Sequence, residues 1–114
     1  MKNEQLQTLI IQLKKASIEE DVNIWKRIAT DLEMSTNQRR IVNLSKIDRY
    51  CSDGDIVVVP GKVLSMGELT KKVTVAAYSF SGNAFEKINK VGKAIYIDEL
   101  VKKNPKGSKV KIIG

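Results

Sequence analysis

The sequence predicts an α/β fold in one domain spanning residues 1–114. A helical hairpin occupies 1–36, a basic segment with a short helix 37–50, and an α/β core 51–114. Three observations carry this. Leu6, Leu9, Ile10 and Leu13 recur at i, i+3, i+4 and i+7, the stripe of an amphipathic helix. Residues 56–59 and 73–80 are apolar runs rich in Val, with no strict polar alternation, as expected of strands covered on both faces. Between later apolar runs the chain returns to helical periodicity, so strands and helices are interleaved rather than segregated.

The elements follow in order. The first helix is expected over Asn3 to Lys15. Ser17-Ile18-Glu19-Glu20 matches a capping box, with Asp21 as a competing cap, and predicts the start of a second helix over Val22 to Glu33. Val22, Trp25, Ala29 and Leu32 line its inner face, so the hairpin is expected to bury Trp25 against the core. Met34 to Arg40 reads as a polar break. Asn43 is placed to cap a short helix through Arg49, with Leu44 and Ile47 inward. Ser52-Asp53-Gly54-Asp55 is a turn signal leading into the strand at 56–59. Pro60 to Gly67, with two glycines, a proline and Lys62, reads as a shaped loop. Ser81 is expected to cap a helix over Gly82 to Lys90, and Gly92 to stop it. A strand over Ala94 to Ile97, a short helix over Glu99 to Lys103 capped by Asp98, a turn over Asn104 to Ser108 and a closing strand over Val110 to Ile113 complete the chain.

Composition narrows the function. Apolar residues make up 42% and charged residues 29%, ordinary for a folded domain. No apolar run approaches the roughly 20 residues of a membrane span, and the first residues lack a signal peptide's apolar block, so a cytosolic protein without a membrane partner is expected. There is no histidine and one cysteine, Cys51. That removes the usual triads and the usual structural zinc site, and it fits a reducing compartment. Gly61-Lys62 invites a phosphate-loop reading, but the motif requires glycine where Ile56 stands and Ser or Thr where Val63 stands. No dinucleotide-binding glycine pattern is present. The carboxylates Asp53, Asp55, Asp98 and Glu99 lie in turns and at caps, where local backbone bonding accounts for them. An enzyme is therefore not expected, and neither a cofactor nor a metal.

The net charge is +7, unevenly spread. Residues 1–36 carry five basic and six acidic residues; residues 37–114 carry fifteen and seven. Such a field attracts polyanions, nucleic acid first. Within 37–50, Arg39, Arg40, Lys46 and Arg49 face Asp48 alone. Asn37, Gln38, Asn43 and Ser45 add hydrogen-bonding groups, and Tyr50 a stacking surface. A DNA-binding or regulatory module working through the hairpin is the alternative, although its second helix offers only Lys26 and Arg27 among acidic neighbours.

Four stretches in order carry a resemblance: 42–47 (VNLSKI), 57–64 (VVVPGKVL), 72–77 (KVTVAA) with 79–81 (SFS), and 99–100 (EL) with 104–108 (NPKGS). Together they resemble the large-subunit ribosomal protein L-eighteen-e family of archaea and eukaryotes, related in fold to bacterial large-subunit protein L-fifteen. The likeness runs from about residue 3 to 113, and the short length is similar to the archaeal form. The family usually has Asn where Asp48 stands. The resemblance implies a compact layered fold of irregular strand–strand–helix units behind a helical hairpin. It also implies a structural constituent of the large ribosomal subunit, bound to large-subunit ribosomal RNA beside neighbouring ribosomal proteins, and a monomer outside the ribosome. The expected RNA contacts are Asn37, Gln38, Arg39, Arg40, Asn43, Ser45, Lys46, Arg49, Lys62, Lys71, Lys72 and Lys106.

Overall fold

The computed structural model describes residues 4–34 and 40–114. Helix α1 spans Glu4–Glu20 and buries Leu6, Leu9, Ile10, Leu13 and Ala16, the predicted stripe continued by one turn. It ends on Asp21 at φ 54°, where the amide of Val22 donates to the carbonyl of Ser17 and that of Asp21 to Ile18. This is a Schellman closure, with Asp in the left-handed position that Gly usually fills. The expected capping box is thus corrected. Ser17 to Glu20 is the last turn of α1, because Ala16 still has core to bury and the Ser17 hydroxyl donates to the Val22 carbonyl. Helix α2, Ile24–Leu32, packs back antiparallel and buries Trp25, Ile28, Ala29 and Leu32. The Trp25 indole nitrogen donates to the Pro105 carbonyl at 2.6 Å, fastening the hairpin to the far end of the chain.

The strands are β1 (Arg40–Asn43), β2 (Ile56–Leu64), β3 (Thr74–Phe80), β4 (Lys93–Tyr96) and β5 (Val110–Ile112). They form one sheet in the order β1-β2-β3-β4, and every pairing is parallel. Strands β1 and β5 both pair β2, β5 along Ile56 to Val58 and β1 along Gly61 to Leu64. Parallel neighbours require crossovers: α3 (Leu44–Tyr50) joins β1 to β2, residues 65–73 join β2 to β3, and α4 (Gly82–Val91) joins β3 to β4, while α5 (Ile97–Lys103) leads from β4 across to β5. The strand–strand–helix succession occurs as β2–β3–α4.

Both faces of the sheet are covered, as the continuous apolar runs require. The row Val58, Ala76, Ile95 packs with α1, α2 and α5. The rows Val57, Val75, Ala94 and Val59, Ala77 pack with α3 and α4.

The stretch 60–67 is not wholly a loop. Strand β2 continues through Pro60 and Gly61 to Leu64, with a bulge between Val59 and Lys62. The extra residue accommodates a proline that has no amide to give the ladder. Gly61 is required by approach: a Cβ there would stand 2.0 Å from the Arg40 carbonyl oxygen. Three boundaries also move. Arg40 belongs to β1 rather than to a polar break, because its strand pairs β2. Strand β4 stops at Tyr96, since Ile97 opens α5. Asp98 then falls in the first turn of α5, with Tyr96 at the cap position. Ser81 does cap α4, accepting from the Ala84 amide at 3.3 Å. Gly92 closes that helix by contact rather than by left-handed torsion, as a Cβ would lie 2.1 Å from the Val73 carbonyl oxygen.

Candidate nucleic-acid interface

Helix α3 is the best-framed basic element. Leu44 and Ile47 are fully buried beneath it, which forces Ser45, Lys46, Arg49 and Tyr50 outward. Asn43 sits at its cap position with extended torsions, but its side chain does not cap. Its Oδ1 instead accepts from the Met66 amide at 3.3 Å. That bond begins a strap. Residues 65–73, between β2 and β3, lie along α3: the Ser45 amide donates to the Met66 carbonyl at 3.1 Å. Gly67, at φ +91°, leaves no room for a Cβ, which would meet that of Ser45 at 2.6 Å. The amide and hydroxyl of Thr70 both donate to Asp48 Oδ1 at 2.8 Å, and the Lys71 ammonium donates to the Asp48 carbonyl. The Thr70 bonds hold the Asp48 carboxyl below its ordinary range. Further along, Asp53 Oδ1 accepts from the Lys72 amide at 2.8 Å, and Gly54 donates to the Lys72 carbonyl at 2.7 Å. From α4, Lys87 donates to the carbonyls of Ser65 and Gly67.

The predicted contacts fall in separate places. Ser45, Lys46, Arg49 and Lys72 are exposed on the α3 side, and among the described residues Lys46, Arg49 and Lys72 form no ion pair with a carboxylate. Lys71 is on the same side but half-buried and used by the strap. Asn43 is likewise spent on Met66. Lys62 is exposed, and its register partners are Ile41 and Ser79, whereas Val42 and Val63 beside it point into the core beneath α3. Alternation therefore puts Lys62 on the hairpin-facing side of the sheet. Arg40 turns toward α2: its Nε lies 3.6 Å from Asp31 Oδ2, and both atoms are buried without a hydrogen bond. Lys106 pairs with Glu20 at 3.2 Å beside the hairpin. Asn37, Gln38 and Arg39 lie outside the described residues.

Two contributors were not predicted. Lys111, on β5, comes beside α3 and lies 2.9 Å from Asp55 Oδ2. With Lys46, Tyr50, Ile112, Ile113 and Gly114 it lines an open groove of about 610 Å³. The alternation of Val110-Lys111-Ile112 already marked it as outward-facing. Met66 projects from the strap, 71% exposed, and nothing in its sequence neighbourhood signals this. Cys51 is a packing residue below α3, and burial, above other causes, pushes its thiol up, away from nucleophilic character. No group of three His, Cys, Asp or Glu side chains among the described residues is arranged to hold a metal ion. No helix among them is long and apolar enough to cross a membrane.

Residues 3–114 match the protein family described as ribosomal protein 60S L18 and 50S L18e. The chain is 48% identical over 112 residues to the large ribosomal subunit protein eL18 of Methanosphaerula palustris, covering 97% of this chain and 93% of that one. It is 43% identical over 111 residues to that of Haloarcula marismortui, covering 97% and 96%. It is 49% identical over 102 residues to that of Thermoplasma acidophilum, covering 89% and 85%.

Proposed function

The chain belongs to the family of ribosomal protein 60S L18 and 50S L18e, and from that premise we propose that it is a structural constituent of the large ribosomal subunit, in the cytoplasm, bound to large-subunit ribosomal RNA by phosphate contacts and shape. It carries no catalytic role and needs no cofactor. It acts as one domain, is a monomer before assembly, and touches neighbouring proteins of the subunit once in place.

The observation that supports this reading is the α3 surface. Lys46, Arg49 and Lys72 stand outward, without carboxylate partners among the described residues, on backbone that the strap holds in one shape. Unpaired cations carried on a hydrogen-bonded, irregular backbone suit a folded RNA, which is recognised by shape and by its phosphates. The hairpin supports duplex DNA reading less well. Its inner face is taken up by Trp25, Ile28 and Leu32, and its outer face offers few cations.

The test is the salt dependence of binding to a large-subunit rRNA transcript. Substituting Lys46, Arg49 and Lys72 together with Gln should flatten the log-log slope by about 2, at roughly 0.7 for each phosphate no longer neutralised. An unchanged slope would remove the α3 surface from the interface.

A further inference from the structure

We infer that the groove between α3 and β5 receives a single unpaired nucleotide of the bound RNA, its base against Tyr50 and its phosphate between Lys46 and Lys111. The inference rests on the RNA-binding reading above and adds a specific contact to it.

The groove combines three chemistries: an aromatic ring, an apolar floor and cationic side chains. Tyr50 is 59% exposed, although a tyrosine ring has much apolar area to hide. The groove is also lined by Ile113, which packs in the core beneath α3, so its floor is apolar. The rim is cationic: Lys46 forms no ion pair among the described residues, and the Lys111 ammonium, while held at 2.9 Å by Asp55, keeps further donors for an anion. The Arg49 guanidinium carbon lies 6.0 Å from the Tyr50 ring centroid and adds positive charge on the same helix. An apolar floor with an aromatic wall and a cationic rim suits a flat group with an anionic tail. A nucleotide is that group, and about 610 Å³ has room for one. Paired RNA offers no free base face, because its bases are stacked on one another; an unstacked base in a loop or bulge does. Tyr50 lies on a helix whose inner side is locked by Leu44 and Ile47, so the ring is presented by rigid backbone.

The test uses the full chain and a large-subunit rRNA transcript, with Tyr50→Ala and Tyr50→Phe. Because Tyr50 is exposed, both variants should keep the buried Trp25 emission of the parent, which reports folding. Base-specific chemical probing should find at least one unpaired base protected by the parent and by Tyr50→Phe, and exposed again with Tyr50→Ala. Affinity should fall about tenfold for Tyr50→Ala, the scale of losing one stacked base, while the salt slope stays unchanged because no charge was removed. Lys46→Gln should do the reverse, lowering the slope while leaving the base protected. Full affinity and an unaltered base footprint with Tyr50→Ala would overturn the inference while leaving RNA binding standing. If the parent chain does not bind the transcript, the broader reading fails, and this one with it.

Discussion

Substituting Gly61 by Ala should destabilise the fold far more than one methyl group suggests. The new Cβ would stand 2.0 Å from the Arg40 carbonyl oxygen and 2.8 Å from its carbon, where ordinary contact begins at 3.4 Å. Strand β1 would have to withdraw by about 1.4 Å. Ladder bonds near 2.9 Å would then exceed 4 Å and no longer count as hydrogen bonds. Among the described strands β1 pairs β2 alone, so no second ladder holds it in the sheet. Its withdrawal would also draw Arg40 away from the buried Asp31 carboxylate. Overpacking of about 1–3 kcal/mol, together with two or more ladder bonds at about 1 kcal/mol each, gives a loss of about 3–5 kcal/mol. That is a large share of the 5–15 kcal/mol typical of a domain. Urea unfolding followed by the single, fully buried Trp25 reads it directly, and the midpoint should fall by more than about 1 M. Gly82→Ala is the matched control. It opens α4, has no atom within 4 Å of its added Cβ, and should be neutral or slightly stabilising. Equal midpoints for the two variants would refute the close-approach argument.

Asp48→Ala should cost about 1–2 kcal/mol and speed amide exchange at Thr70, since it removes the acceptor of two 2.8 Å bonds on a partly screened surface. Asp48→Asn keeps that Oδ1 as an acceptor and should stay within about 0.5 kcal/mol. The two differ from the parent in acid. Asp48 and Asp55 are held below the ordinary carboxylate range when folded, by bonds from Thr70 and from Ser52 and Lys111 respectively. Their contribution is therefore whole above the unfolded value and is lost as pH falls through the folded one. Asp48→Asn should remove the Asp48 share of that acid loss in a pH series of unfolding midpoints, leaving that of Asp55. Ser81→Ala deletes the cap of α4 and should cost about 1 kcal/mol by the same assay; no loss would mean that the 3.3 Å bond to Ala84 is not made in solution.

Much of the fold was legible because it rests on periodicity. The i, i+3, i+4 stripe of α1 and the unbroken Val runs of β2 and β3 have few alternatives once their apolar surface must be buried. Boundaries were less legible, because they depend on partners distant in sequence. Ser17 to Glu20 has the composition of a helix start, yet Ala16 found core to bury and α1 ran on. Pro60-Gly61 has the composition of a loop, yet β1 on one side and β3 on the other held it in the sheet through a bulge. The basic residues were nameable, but their faces were not. Lys62 and Lys46 look alike in sequence; strand alternation and helix packing send them to opposite sides of the sheet.

By itself, the sequence determined the class of the molecule. It has no histidine, one cysteine and all of its excess positive charge in residues 37–114, and that excess is what pointed to a polyanion as partner. Only the tertiary structure decided which of the basic residues share a face. The Thr70 bonds to Asp48 and the Met66 contacts with Asn43 and Ser45 bind the strap to α3. The sheet brings Lys111 from the far end of the chain to Lys46 and Tyr50. These are contacts between residues tens of positions apart. They arise from how parallel strands and their crossovers pack, which no local run of residues encodes.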